Sequence, residues 1–198
     1  MTSKYVIWTH AAVEHAVVLD EMKGYDDDFR LVNGERVAKG FPSKVKFTMD
    51  KEFPTDTLLT DNLLNSDRLI VASERLADFL RERDSKLIEY LPVTIVDHKR
   101  KPIKEPYFIA HPVDPVDCLD IEACGAKYLP IDEDNIWKLD RLAVQESKVP
   151  AQRMLFRPKA YNAVILVRRD LANAISKEGF TGVSWTEIED HPKPRRKS

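Results

Sequence analysis

A short run near the N terminus comes closest to a metal-binding motif. His10, Glu14 and His15 lie within the sequence His-Ala-Ala-Val-Glu-His. Zinc proteases hold the metal with two histidines on one helical face and place a glutamate beside the bound water. The inverted form of that motif is one residue shorter, and on a helix His15 would point about 100° away from Glu14. With no third ligand nearby in sequence, we predict that the chain binds no metal.

The two cysteines, Cys118 and Cys124, do not have the C-x-x-C spacing of zinc knuckles and redox motifs. We interpret them as reduced, buried small residues of an intracellular protein. A nucleophilic pair of Cys118 with His111 or His98 stays open, because such a pair has no local sequence signature. The sequence otherwise predicts no catalytic residue and no cofactor.

The acidic run Asp26, Asp27 and Asp28 lacks the alternate spacing and the glycine of a calcium-binding loop. No glycine-rich phosphate loop is present, and six glycines in 198 residues leave little room for one. We interpret the run as an exposed loop. Placed between Tyr25 and Phe29, the three acids are suited to contact a basic partner protein.

Two polar segments predict turns. Asp97–Lys101 carries three positive residues and is interpreted as the solvated tip of a hairpin. In Asp61–Asn65 the Asp and Asn side chains can organise a turn by bonding to nearby backbone groups.

The overall composition is that of a globular protein, with 43% hydrophobic and 32% charged residues. No stretch approaches the roughly 20 apolar residues that cross a bilayer, and the first residues do not have the pattern of a signal peptide. The sequence therefore predicts a cytoplasmic protein with no membrane partner.

Charge is unevenly distributed along the chain. Residues 192–198 carry four basic residues and no acid, and are predicted to be a disordered basic tail. Without those four, 27 basic residues face 33 acidic ones in residues 1–191, a net charge of −6. An acidic body argues against a nucleic-acid-binding surface, which needs clustered Lys and Arg.

The elements that would position these residues follow from hydrophobic periodicity. Apolar and β-branched runs predict strands, and apolar residues spaced three and four apart predict amphipathic helices. Ser73 is a suitable N-cap for the first helix and Gly179 a suitable end for the second. The predicted strands are Tyr5–Trp8, Val45–Met49, Leu69–Val71, Leu91–Val96, Tyr107–Ile109, Arg141–Gln145, Met154–Phe156, Ala163–Val167 and Val183–Ile188, and the predicted helices are Glu74–Arg83 and Asp170–Glu178.

Residues Ala11–Met22 fit either a helix or a buried strand and are left undecided. The prolines around Leu91–Ile109 predict that this hairpin lies at a sheet edge or ends in long loops. Ala163–Val167, apolar on both faces, is expected to be central. The irregular order predicts one α+β domain over residues 1–191, with a mixed or antiparallel sheet and a few short amphipathic helices.

Ten segments, taken together and in this order, carry a resemblance to a known family: Phe47–Asp50, Phe53–Asp56, Asp61–Leu63, Leu91–Lys99, Glu105–Ile109, Val116–Asp120, Glu146–Ser147, Leu155–Arg157, Leu166–Ala172 and Gly179–Gly182. They resemble the eleventh immunity-protein family of bacterial polymorphic toxin systems. The resemblance covers about Val45–Glu187, and residues 1–44 carry little of it and are expected to be a variable part.

The resemblance implies an α+β protein that protects the producing cell by binding a cognate secreted toxin. It transfers no catalytic residue, so five residues of the shared segments are expected to be structural: Asp61, Asp97, Tyr107, Asp117 and Arg157. An acidic body suits a basic toxin such as a nuclease, with Asp26, Asp27 and Asp28 as the predicted contact. The alternative is a small enzyme that acts on a toxin modification or another substrate, through a cleft built from Glu146, Arg157 and a histidine.

Overall fold

The structure, a computed structural model, describes residues 3–83, 86–129 and 132–192. Within these ranges the α-helices are Asp28–Val32 (α1), Glu74–Arg81 (α2), Ile121–Cys124 (α3) and Arg169–Lys177 (α4). The strands described in the same ranges are Tyr5–His10 (β1), Val18–Leu19 (β2), Lys46–Thr48 (β3), Asn62–Asn65 (β4), Val71–Ser73 (β5), Ile88–Val96 (β6), Tyr107–Pro112 (β7), Lys127–Leu129 (β8), Asp132–Lys138 (β9), Leu155–Phe156 (β10), Leu166–Arg168 (β11) and Val183–Glu187 (β12).

Six strands form a mixed sheet in the order β2-β4-β5-β7-β6-β3, and its two outer strands meet. The N–H of Asp20 donates to the carbonyl of Thr48, and the N–H of Asp50 donates to the carbonyl of Val18, both at 2.8 Å. Two further bonds connect the backbones of Lys23 and Lys46, at 2.9 and 3.0 Å. The sheet therefore closes on itself as a small barrel.

Alternation along the strands fills the barrel, because successive side chains of a strand point to opposite faces. Most inward positions of the strands are apolar and almost fully buried, Asn65 of β4 being a polar exception. Together with Leu31 of α1 and residues that flank the strands they form one cluster: Val17, Leu19, Leu31, Val37, Val45, Phe47, Met49, Leu63, Leu69, Val71, Leu91, Val93, Ile95, Tyr107 and Ile109.

A second sheet, four-stranded and antiparallel, has the order β10-β11-β1-β12. One face of β1, with Val6 and Trp8, packs with the apolar sides of α2 and α4, which lie against the outside of the barrel. The other face, with Tyr5 and Ile7, covers a separate cluster that contains both cysteines. Strands β8 and β9 form a two-stranded sheet of their own.

The barrel and the four-stranded sheet are joined by hydrogen bonds between Asp61 and Asn62 on one side and Thr181 and Gly182 on the other, residues we call the joint. The N–H of Asn62 donates to Thr181 O at 3.1 Å, and its side-chain amide donates to Gly182 O at 2.9 Å. Gly182 has a φ of +76°, and a Cβ there would lie 2.3 Å from the carbonyl oxygen of Asn62. The joint therefore requires glycine at this position.

The α+β class with a mixed sheet and short amphipathic helices is confirmed. Helix α2 begins after Ser73, whose Oγ accepts the N–H of Leu76 at 3.3 Å, and Gly179, with a φ of +68°, follows the end of α4. The undecided segment Ala11–Met22 contains the short strand β2 and no helix. The predicted strand Ala163–Val167 starts only at Leu166, and it is internal as expected, between β10 and β1.

Residues Arg141–Gln145 do not form the predicted strand. Their backbone N–H groups donate to three separate parts of the chain: Arg141 to Cys124, Leu142 to His191 and Gln145 to Cys118. The segment pairs only through one antiparallel bridge, between Val144 and Leu119, so its alternating pattern does not produce a ladder.

The hairpin of β6 and β7 is present. Of its two predicted alternatives the sheet edge is wrong, because both strands have neighbours on two sides, and the strands are instead joined by the long loop Asp97–Pro106. The N–H of Ala110 donates to the carbonyl of Ile70, just before β5, so Phe108 also turns its N–H towards β5 and forms no bond with its partner Pro92. On the other side of β6, strand β3 pairs only with Thr94–Val96. Pro92 therefore interrupts no ladder bond.

Among the described residues no helix is long and apolar enough to cross a membrane. The predicted basic tail at 192–198 lies, apart from Pro192, outside the described residues.

Candidate functional site

The acidic run predicted to contact a partner lies on the surface at the start of α1. Asp26, Asp27 and Asp28 are all exposed, and Asp27 occupies the N-cap position without a side-chain capping bond. Phe29, which follows, is 56% exposed. The three carboxylates are therefore free of a structural role in the helix.

Two further acids extend this surface. Asp67 accepts the N–H of Met22 at 3.0 Å, which brings it beside Glu21. Burial raises the pKa of the Asp67 carboxyl, and the carboxylates of Glu21 and Asp28 raise it further, although the bond from Met22 opposes the change. Negative charge is therefore concentrated here. We call Glu21, Asp26, Asp27, Asp28 and Asp67 the acidic corner.

An apolar strip lies on the outside of the barrel beside the acidic corner. Val18 of β2 pairs with Leu64 of β4, and Ala16 bridges to Leu58. Leu64 is 44% exposed and Leu58 is 49% exposed, although their neighbours Val17 and Leu63 are fully buried. These four residues, Ala16, Val18, Leu58 and Leu64, are called the outer strip. The sequence analysis missed it, since a two-residue strand leaves no periodic signal.

The residues of the possible metal motif have separate partners. His10 ends strand β1, and its Nε2 lies 3.1 Å from the carbonyl of Leu63. The ring of His15 is 3.6 Å from Glu14 and 3.5 Å from Asp56, on the surface. No group of three or more His, Cys, Asp or Glu suited to a metal is present in the described part of the chain.

The residues of the possible thiol nucleophile are also apart. Cys118 and Cys124 are unpaired with each other and fully buried, as predicted. Burial raises the pKa of the Cys118 thiol to about 12, so at neutral pH it is not a thiolate. His111 Nε2 lies 2.7 Å from the carbonyl of Glu35, and His98 Nε2 lies 3.3 Å from that of Asp56.

The structure does not bring Glu146 and Arg157 into one cleft. Glu146 accepts the backbone N–H of Lys4 at 2.7 Å and holds the start of β1. A cleft of about 560 Å³ is lined by Arg157 with Glu35 and Asp114, but its lining contains no histidine and no Glu146. Those two carboxylates form ion pairs with other arginines, Glu35 with Arg30 at 2.8 Å and Asp114 with Arg36 at 2.6 Å.

Five residues were expected to have a structural role, and four of them form hydrogen bonds with turns or with the backbone of other segments. Asp61 accepts Ser73 Oγ at 2.8 Å and Thr181 N at 2.9 Å, and Asp97 accepts two N–H groups of its own turn. Tyr107 donates to the carbonyl of Thr60 at 2.8 Å. Arg157 donates to two backbone carbonyls. Asp117 differs, because it is exposed and its carboxylate bonds to no residue that the structure describes.

A model of the Immunity protein family (Imm11) matches residues 8–190. The match begins well before Val45, so it includes the second half of strand β1, the outer strip and the acidic corner as well as the segments that carry the resemblance. No curated protein matches the chain. With the match running from β1 to the 3-10 turn at Ile188–Asp190, the chain belongs to the immunity protein family Imm11.

Proposed function

We propose that this protein protects a toxin-producing bacterial cell by binding the toxin encoded beside it in a stoichiometric complex. The observation that carries the proposal is the family match over residues 8–190. The protein would act in the cytoplasm of the producing cell as part of a polymorphic toxin system. Its role would be inhibition by contact, without a cofactor.

Binding is favoured over catalysis by the partners of the reactive side chains. In the described ranges the cysteines are buried, His111 and His98 contact backbone carbonyls, and the two carboxylates of the 560 Å³ cleft are held in ion pairs. A general base needs a free lone pair within reach of a substrate proton. The carboxylates are held by arginines, and the unpartnered Nδ1 of His111 is fully buried, out of reach of a substrate.

The acidic corner and the outer strip together are the contact surface that we propose. Protein interfaces combine an apolar centre with a polar rim, and exposed Phe and Leu side chains next to carboxylates provide both. Exposed acids attract a basic partner and raise the association rate, an effect that salt screens. A basic toxin, such as a nuclease, fits this surface.

The proposal predicts a complex of fixed stoichiometry between the purified protein and its cognate toxin, measured by size-exclusion chromatography with light scattering. Replacing Asp26, Asp27 and Asp28 by Asn should lower the association rate, by roughly tenfold at low salt, with little change in the dissociation rate. The melting curve should not change, because these residues make no capping bond.

A matched control removes three charges elsewhere. Asp117→Asn, Glu122→Gln and Glu178→Gln change exposed residues away from the acidic corner, and this triple variant should associate at nearly the rate of the wild type. An equal loss of rate in both triple variants would contradict the proposed site and leave only a general charge effect. Protection of cells by sub-stoichiometric protein, with chemically altered toxin and no complex, would contradict the binding mechanism and support the enzyme alternative.

A further inference from the structure

A small cleft between the barrel and the four-stranded sheet is positively charged, although the body of the protein is acidic. It has a volume of about 200 Å³, and its lining includes Arg68, Arg157, His10 and Trp8. No Asp or Glu is among the described residues that line it. By contrast, a cleft of about 530 Å³ beside β3 holds several basic residues together with Asp20 and Asp97.

Arg157 is a buried cation that has no counter-ion in the part of the chain that the structure describes. Its side chain is 1% exposed, and its two terminal nitrogens donate to the carbonyls of Asn162 at 2.9 Å and Arg68 at 2.8 Å. No carboxylate among the described residues pairs with it, and its Nε is buried without a partner there. A buried charge normally persists only when it is paired, because leaving water costs several kcal/mol per ion.

A second guanidinium makes the arrangement less favourable still. Burial and, to a smaller extent, the nearby cation of Arg68 together lower the pKa of Arg157 to about 10. Arg157 therefore remains charged at neutral pH, and the two guanidinium groups repel each other. Arg68 also has a positive φ of 57°, which is uncommon for a residue other than glycine.

A third donor lies on the same cleft. Trp8 is 7% exposed, and its indole N–H is buried with no acceptor in the described part of the chain. Buried polar groups nearly always have a partner. Arg157 Nε and Trp8 Nε1 lie on one cleft without one, which points to an acceptor that the described residues do not supply.

We propose that this cleft binds a small oxyanion, a phosphate or carboxylate group, with Arg68 and Arg157 neutralising its charge and the Trp8 indole as an additional donor. Guanidinium groups are well matched to both oxyanions. The volume equals that of several water molecules at about 30 Å³ each and lies below the roughly 300 Å³ at which ligand pockets begin, which favours a small ion over a nucleotide. The inference does not depend on the toxin.

The experiment compares thermal unfolding of the wild type and of Arg68→Gln in sodium phosphate, sodium acetate and sodium chloride, at equal ionic strength and pH 7. Arg68→Gln removes one charge and leaves the carbonyl that Arg157 binds. Arg100→Gln is the matched control, since Arg100 is also exposed, has a similar φ of 64° and lies on the other cleft. Phosphate stabilises proteins in general by exclusion from their surface, so the difference between variants is the quantity measured.

We expect phosphate or acetate to raise the Tm of the wild type and of Arg100→Gln above the value in chloride, by roughly 5 °C at a hundredfold excess over the Kd. The rise should be lost in Arg68→Gln. A response to phosphate alone identifies a phosphate group as the ligand, and a response to acetate alone identifies a carboxylate. Equal Tm values in all three salts, or an undiminished rise in Arg68→Gln, would overturn the proposal.

A second measurement covers the case in which Arg68→Gln folds poorly. In the wild type, titration with the same anions should move the NMR signal of the Trp8 indole N–H and leave that of the exposed Trp137 in place. A Trp8 signal that does not move with either anion would also overturn the proposal.

Discussion

The joint and the outer strip are two parts of the outside of the barrel, and they differ in what covers them. At the joint the barrel meets the four-stranded sheet, and the contact is made by backbone groups, a bound amide side chain and a glycine without space for a methyl group. At the outer strip the barrel presents half-exposed leucines beside a group of mutually repelling carboxylates. The joint is tightly packed, although Asn62 Oδ1 is buried there with no partner among the described residues, whereas the outer strip is open to solvent.

The difference indicates where changes are tolerated. Where packing is tight, a single added atom has no space, whereas exposed side chains can change with little effect on folding. We therefore expect changes at the joint and in the interior to act on stability. Changes at the outer strip and the acidic corner should act on partner binding and on the response to pH.

The largest effect should follow from Gly182→Ala at the joint. The new Cβ would lie 2.3 Å from the carbonyl oxygen of Asn62, and the alanine would have to keep the positive φ of this position. Together these effects should lower the free energy of unfolding by roughly 3–5 kcal/mol. Gly179→Ala is the control, because it has a φ of +68° and nothing within 4 Å of its Cβ, so only the smaller backbone cost remains. Equal losses in urea unfolding would show that the joint is not tightly packed.

The next largest effect is the loss of stability at acid pH that the buried His111 should cause. Burial lowers the pKa of His111 from 6.5 to about 4, so between these values the unfolded chain binds more protons than the folded one. Stability should therefore fall as pH decreases from about 6.5 to about 4, by up to about 3 kcal/mol. His111→Gln should flatten this slope, while His98→Gln should keep it. A slope unchanged by His111→Gln in unfolding measured across this range would contradict the assignment.

A smaller loss is expected for Tyr107→Phe, next to the joint. The variant removes the donor to the buried carbonyl of Thr60 and should cost about 1–2 kcal/mol, because that acceptor is left unsatisfied. The exposed Tyr128→Phe should change stability by less than about 0.5 kcal/mol. If the two variants unfold at the same temperature, the hydroxyl of Tyr107 contributes nothing to stability.

At the outer strip the expected effect is on binding. Leu58→Ser combined with Leu64→Ser should leave the melting temperature nearly unchanged and raise the dissociation rate of the toxin complex by about fivefold, roughly 1 kcal/mol, through loss of apolar contact. The control is Ile121→Ser with Tyr128→Ser, which are exposed residues elsewhere. Surface plasmon resonance measures both rates, and an unchanged dissociation rate would exclude the outer strip from the interface.

The smallest effect is the pH response of the acidic corner. The pKa of Asp67 is raised above 3.8 in the folded protein, so the folded state holds this proton more tightly than the unfolded chain. Its contribution to stability should fall as pH rises through the interval above 3.8, which is opposite to the contribution of His111. Asp67→Asn keeps an acceptor for Met22 and should be at least as stable as the wild type at pH 7. A clear loss of stability at pH 7 would mean that the carboxylate is favourable where it lies.

Helices α2 and α4 could be predicted from the sequence because their signals are local. Ser73 and Gly179 mark their limits, and their apolar faces repeat every three to four residues. The strands with long apolar runs, such as Tyr5–Trp8, were equally clear. The exposed position of Asp26–Asp28 also followed from the polar run itself.

Barrel closure, the outer strip and the arginine cleft were not predictable, because they depend on contacts between distant segments. Strand β2 has two residues and is defined by its neighbours, not by a pattern. Arg157 gives no sequence signal of burial, since arginine is mostly exposed and only its position between Arg68 and Asn162 removes it from water. The failed strand Arg141–Gln145 shows the converse, an alternating pattern whose pairing is limited to one bridge with Leu119.

The position of β1 has a consequence for how the chain folds. This first strand lies between β11 and β12, near the other end of the sequence, and Arg169 contacts the carbonyl of Ser3 across 166 positions. Contacts this distant give a high contact order, so we expect slow folding, in the range of milliseconds to seconds or longer. During synthesis the apolar residues of β1 must wait for the last strands to leave the ribosome. A cell whose toxin is made at the same time would need a store of this protein that is already folded.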